Sequence, residues 1–168
     1  MQPKLWAPEG AKLVLPTKNA DYWNATMKPY VDGQDIVARG VVGTRFGGSD
    51  DAMDGGVTAS GFELAKHPDK LCASLPMRVV RVRNGVSYEF PATAGSPLPK
   101  FLWGTMVRVM SRKTQKVVVA PLLDLGPAIG TNNAIDMSNA LVTALGLSLG
   151  DGEYLVDFRV LGGASYLK

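Results

Sequence analysis

One cysteine and one histidine are all that the 168 residues contain of the two side chains that most often bind zinc. Cys72 cannot close an intramolecular disulfide and leaves no cysteine cluster for a structural metal, so redox chemistry says nothing about the compartment. No apolar run approaches the roughly 18 residues of a membrane span. The N-terminus has neither the basic head nor the apolar stretch of a secretory signal. The chain is therefore expected to be a mature or trimmed form, or to leave the cell by another route. Charge of one sign is scarce too: 18 Lys and Arg stand against 15 Asp and Glu, a formal +3. The positive residues are scattered except at Arg78, Arg81, Arg83 and at Arg108, Arg112, Lys113, Lys116. That pattern signals nucleic acid only weakly, and an anionic polymer such as a bacterial cell wall suits it equally well. A chain of this length predicts one domain with a core large enough to need no staple.

The richest stretch is Lys116 to Leu147, KVVVAPLLDLGPAIGTNNAIDMSNALVTALGL. The β-branched run Val117 to Val119 predicts a buried strand, ending at Asp124-Leu125-Gly126-Pro127. A Gly/Asn-rich loop and a second aspartate, Asp136, follow. Ser138 is placed to cap a short helix over Asn139 to Leu145, with Leu141, Val142 and Leu145 at helical spacing and Gly146 as its stop. Asp124 and Asp136, twelve residues apart, can converge on one edge of a small barrel.

Before this stretch, residues 1–36 hold four prolines and little periodicity, which predicts an extended arm packed on the domain, with a turn of helix near Ala20 to Met27. Trp6, Tyr22, Trp23 and Tyr30 would anchor it or stack on sugars, anchoring being the commoner use of such rings. From Ile36, alternation puts Thr44 and Phe46 on one face of a strand and Arg45 on the other. Asp50, Asp51 and Asp54 sit in an acidic loop, but Ala52 and Gly61 fall where a calcium loop needs oxygen ligands. Ser60 and Glu63 have the spacing of a capping box for a short helix in FELAK. His67 reads as an exposed loop residue without a partner. Asn84-Gly85 predicts a type I′ hairpin turn between RVVRVR and VSYEF, with Val80 and Val82 inward and Arg81 and Arg83 outward; ATAGSPLPK then links it onward. A strand pair follows around a turn at Ser111 to Gln115, and in a closing strand Tyr154, Val156, Phe158 and Val160 share one face. Many short strands and one brief helix predict an all-β barrel, with a domain over 37–168 and the hairpin as an insertion at about 77–100.

The ordered series GVTASG, GTMVRV, VVVAPLLDLGP, AIDMSNALVTALGL and YLVDFRVLG resembles the double-psi β-barrel domain of the rare lipoprotein A family and, more distantly, expansins and membrane-bound lytic transglycosylase A. The resemblance spans about residues 38 to 162 and implies a six-stranded double-psi β-barrel. It implies further that Asp124 and Asp136 line a groove for β-1,4-linked glycan, with Thr44, Phe46, Thr58 and Ser60 brought against them as substrate-binding groups and Trp103 as a further stacking candidate. Two departures stand out. Leu125 occupies the place where that family has arginine, and Cys72, ahead of Leu75-Pro76, occupies the place of a histidine.

Breaking a glycosidic bond requires an acid that protonates the leaving oxygen. A hydrolase also needs a second carboxylate, about 6.5–9.5 Å away for inversion or about 5–5.5 Å for retention. A lytic transglycosylase needs one acid only, because the sugar's own 6-hydroxyl attacks. Asp136, between Ile135 and Met137 and ahead of a capped helix, is the expected acid, with Asp124 orienting it or holding substrate; the bland alternative has Asp124 starting a turn and Asp136 bracing the helix. The expected partner is a polysaccharide, peptidoglycan or another β-1,4-linked glycan, with no nucleic acid, no metal, no cofactor and no membrane span. The expected setting is extracytoplasmic: periplasmic, secreted or phage-delivered. Three function classes follow: a peptidoglycan-cleaving enzyme, foremost a lytic transglycosylase ahead of a glycoside hydrolase; a non-catalytic wall-binding or expansin-like loosening module, which both departures favour; and a structural component of a larger assembly.

Overall fold

Closure of a sheet on itself decides the architecture. The computed structural model describes residues 7–12, 14, 26–48, 56–90, 99–128 and 131–167, with backbone alone at 79–83 and 88–90. Its strands are β1 (Tyr30–Asp32), β2 (Asp35–Phe46), β3 (Ala73–Leu75), β4 (Val79–Arg83), β5 (Val86–Phe90), β6 (Met106–Ser111), β7 (Val117–Leu125), β8 (Ile135–Ser138) and β9 (Glu153–Val160), with the short helix α1 (Asn139–Ala144) after β8. The order β2-β8-β3-β7-β6-β9 returns to β2, so six strands close a barrel, while β1 extends the edge of β2 that β8 leaves uncovered.

The pairing pattern has an internal two-fold. Exchanging β2, β3 and β6 for β7, β8 and β9 turns the parallel pair β2–β8 into β7–β3 and the antiparallel pair β2–β9 into β7–β6, while β3–β8 and β6–β9 map onto themselves. In each half a strand of the other half threads between consecutive strands: β8 lies between β2 and β3, and β3 lies between β7 and β8. These two interlocked crossovers make the domain a double-psi β-barrel. Hairpin β4–β5 pairs only with itself, as an insertion between β3 and β6. Its turn is the two-residue form that Asn84-Gly85 predicts, with φ of 53° and 75°.

The barrel interior is filled from every strand, with Leu75, Leu122, Ile135, Met137, Val156 and Phe158 essentially inaccessible. Each contributes about 1.5–3 kcal/mol by leaving water. The alternation of Tyr154, Val156, Phe158 and Val160 is that of a strand with one buried face. Ser138 caps α1, its Oγ accepting from Leu141 N–H; the same Oγ accepts from Cys72 N–H and donates to the Lys70 carbonyl. The helix ends with Gly146 N–H bonded to Thr143 O and Leu147 N–H to Val142 O, a Schellman arrangement. Among the described residues, no helix is long and apolar enough to cross a membrane.

Three expectations are corrected. Val117 and Val119 are each 40% exposed, because the inward positions of β7 are Ala120 and Leu122; a β-branched run marks a strand and not its buried face. Ser60 caps no helix: the 3-10 turn Leu64–Lys66 begins after Glu63, which pairs with Lys66 instead. Within the first 36 residues, Met27 is fully buried in the core and Tyr30–Asp32 pair with β2 as β1, so this part of the segment belongs to the core and the sheet. Trp6, Tyr22, Trp23, the acidic loop of Asp50, Asp51 and Asp54, the linker at 91–98 and the side chains of Val80, Arg81, Val82 and Arg83 lie outside the described residues.

Two measurements check this account of stability. Ser138→Ala removes three hydrogen-bond partners at a buried site, beyond a simple cap, and should lower unfolding free energy by about 2 kcal/mol in urea titration. Asp35 is the second. Burial opposes its ionisation, but the Gly162 N–H and the Arg159 guanidinium outweigh burial and hold its carboxyl below the ordinary value of 3.8. A lowered folded value means stability that is present above 3.8 and is lost as pH falls through the folded value. The gap between wild type and Asp35→Asn should therefore be full at neutral pH and shrink in melts below 3.8; a gap that does not change with pH would contradict this.

Candidate functional site

Four polar residues stand side by side across four neighbouring strands. Thr44 of β2 is opposite Asp136 of β8, Asp136 is opposite Ser74 of β3, and Ser74 is opposite Asp124 of β7. Their flanking residues Ala73, Leu75, Ile135 and Met137 fill the barrel, so Ser74 and Asp136 lie on the outer side of the sheet by alternation, where Ser74 is covered and only 1% exposed. Asp124 reaches the same face through a bulge. Ala73 faces Leu122 and Ser74 faces Asp124, so β7 spends one extra residue, Leu123, where β3 spends none. Without the bulge, Asp124 would follow Leu122 inward.

The row is held by specific bonds. Thr44 Oγ1 donates to Asp136 Oδ1 in a short contact. Asp124 Oδ1 accepts from Ala59 N–H at 2.8 Å and from Leu125 N–H at 2.9 Å. Ser74 Oγ donates to the Gly126 carbonyl at 3.2 Å. At the backbone the two aspartates are two inter-strand steps apart, about 9–10 Å. Gly126 explains the Asp-Leu-Gly-Pro sequence: with φ of 149°, a Cβ there would lie 2.9 Å from Asp136 Oδ2 and 3.3 Å from Ser74 Oγ. The chain turns directly over the carboxylate, and a larger residue there must push the Asp136 side chain aside.

Thr58 and Ser60 frame the Asp124 side of the row through the backbone of Ala59. The Thr58 and Ser60 hydroxyls are bonded to each other at 2.8 Å, and Thr58 Oγ1 accepts from Phe62 N–H, so Thr58, almost fully buried, braces the loop. A small outer cluster of Phe46, Leu64 and Cys72, with Phe62 and Leu123 against it, fastens this loop to the barrel. Phe46 is only 8% exposed there, so the ring expected to stack on a sugar is used in packing instead. Trp103 is half-buried and packs against the main core. Arg45, on the other face of β2, donates to the Leu149 carbonyl.

Two features escaped sequence reasoning. Ser74 completes the row; its signal is that it is the polar side chain of the short apolar piece Leu71 to Met77. His67 has a partner after all: its ring lies 5.5 Å from that of Phe62, and both line an open groove with Lys70, Val119 and Pro121 along the outer face of β7. Among the described residues no group of three or more His, Cys, Asp or Glu side chains is placed to hold a metal ion.

No protein-family model matches the sequence, and no curated protein does. Among solved structures the chain is similar to Streptomyces papain inhibitor (SPI), at 19% identity and a TM-score of 0.37, over 76% of this chain and 96% of that one.

Gly126→Ala tests the geometry of the row. The added methyl must displace the Asp136 carboxylate or the turn, and should cost about 1–3 kcal/mol of stability. The amide signals of Thr44 and Ser74 should move together in a heteronuclear NMR spectrum. A variant with unchanged stability and spectrum would show that the turn does not press on Asp136.

Proposed function

We propose that this barrel cleaves a β-1,4-linked glycan of the peptidoglycan type as a lytic transglycosylase akin to the rare lipoprotein A family, with Asp136 as acid and base. The observation that carries the reading is the outward row of Thr44, Asp136, Ser74 and Asp124, which lines up two carboxylates and two hydroxyls across adjacent strands. In this reading Asp136 protonates the leaving glycosidic oxygen. The resulting carboxylate then takes the proton of the sugar's 6-hydroxyl as that oxygen closes on the anomeric carbon, giving a 1,6-anhydro end and regenerating the acid. Thr44 positions the carboxyl through its hydrogen bond, and Asp124, fixed by the Ala59 and Leu125 amides, orients the substrate beside it. Support for one acid over a retaining pair comes from β3, whose Ser74 stands between the two aspartates; retention brings carboxyls to about 5–5.5 Å.

A second reading, a non-catalytic wall-binding or loosening module, draws support from Cys72. At the position where the resemblance expects a histidine, its side chain is fully buried against the outer cluster and cannot reach a ligand.

Digestion of purified murein, followed by mass spectrometry of released fragments, separates the two. The proposal expects products lighter by one water than hydrolytic fragments, at least a hundredfold loss in Asp136→Asn with wall binding and melting temperature retained, and partial activity in Asp124→Asn. Wall sedimentation without any product would establish the binding module. Reducing ends, or an Asp136→Asn variant as fast as wild type, would overturn the transglycosylase assignment.

A further inference from the structure

Away from the aspartate row, strands β1, β2, β9 and β6 carry a shallow cleft of about 270 Å³ on their outer faces. Its walls present Arg39, Arg108 and Arg159 together with Asp32 and Asp157, over a floor that includes Tyr30 and Met110. The carboxylates are already committed. Asp32 and Asp35 both accept from Arg159, at 2.7 Å and 3.0 Å. Asp157 takes Arg112 through both oxygens, at 2.9 Å and 3.0 Å, and also accepts from the Gly40 N–H at 2.7 Å. Arg112 is itself nearly buried, so this pair is fixed.

One guanidinium is left over and a second is only loosely engaged. Arg39 Nε pairs with Asp157 Oδ2 at 4.0 Å, through one nitrogen and with its side chain 39% exposed, and among the described residues Arg108 has no carboxylate partner. Register makes this costly. Arg108 stands directly opposite Arg159 in the β6–β9 pair, and like charges in that relation destabilise a sheet. Two acids offset Arg159 and none offsets Arg108.

The geometry points to an oxyanion site at this cleft, formed by Arg39 and Arg108, whose ligand is a phosphate group. A carboxylate is satisfied by one guanidinium fork. Two forks from different strands suit an anion with three or four acceptor oxygens, and Arg presents its donors in the planar pairs that phosphate accepts. Arg112 offsets Asp157 and Arg159 offsets one of Asp32 and Asp35, so with Arg39 and Arg108 the four arginines outnumber the three acids by one. Free phosphate and a phosphate ester on a sugar or polymer share this chemistry.

The test is an NMR titration of the whole chain at constant ionic strength with inorganic phosphate, with glycerol phosphate and polyphosphate as parallel arms and chloride as control. Inorganic phosphate should shift the amides around Arg39 and Arg108 saturably, with a Kd of about 1 mM, and Arg39→Gln/Arg108→Gln should weaken it at least about tenfold. Arg108→Lys, which keeps charge and loses the fork, should fall between. Tighter binding of either parallel arm would identify an esterified phosphate as the natural source. In phosphate-free buffer Arg108→Gln should melt no lower than wild type, since it relieves the opposed charges. Equal shifts from chloride, unchanged affinity in the double variant, or shifts confined to other strands would each overturn the assignment.

Discussion

The antiparallel pairing of Ser74 with Asp136 is the contact about which the two halves of the chain turn. Under the internal two-fold that exchanges β2, β3, β6 with β7, β8, β9, this pair maps onto itself, and Thr44 opposite Asp136 becomes Asp124 opposite Ser74. The polar row is therefore a consequence of the topology. Where two crossovers interlock, four strands must lie side by side, and their outward residues form one line. A barrel of six strands has little interior to spare, so its inward positions are taken by Leu75, Leu122, Ile135 and Met137. Chemistry has to be placed on the outer side of those same strands.

That placement sets how the site is kept in order. Asp124 is turned outward by a bulge and held by two backbone amides, one from its own chain neighbour and one from a loop 65 residues away. The loop is in turn held by the cluster around Phe46, Leu64 and Cys72. Packing that looks remote from the row thus positions it. Cys72 also donates its N–H to Ser138 Oγ, so the cap of α1, the strand β3 and the aspartate row are connected through a few buried bonds.

Local signals were legible in the sequence. The Ser138 cap, the Gly146 stop, the Asn84-Gly85 turn and the alternation from Tyr154 to Val160 each depend on residues within a few positions of one another, and each occurs as read. The two aspartates were legible as a pair, although their neighbour Ser74 was not, because β3 has only three residues and no alternation to display. The exposed faces of Val117 and Val119 were hidden for a related reason: strand propensity is local, and the buried face is chosen by partners far along the chain. Alternation places Phe46 on the face of Thr44, and the stacking role that the resemblance implies for it fails because Leu64 and Cys72, far apart in sequence, cover that ring. The ion pairs of Arg112 with Asp157 and of Arg159 with Asp32 and Asp35 join residues 45 to 127 positions apart and leave no trace in sequence spacing.

The central proposal is that Thr44, Asp136 and Asp124 act as one glycan-facing unit, braced from beneath by the buried Ser74. It is tested most directly by titrating isotope-labelled protein with a soluble β-1,4-linked N-acetylglucosamine oligosaccharide and following the backbone amides. The account predicts saturable shifts along that row and in the Ala59 loop, lost in Asp136→Asn/Asp124→Asn while the rest of the spectrum is unchanged. Shifts that bypass the row, or that persist undiminished in the double variant, would contradict it.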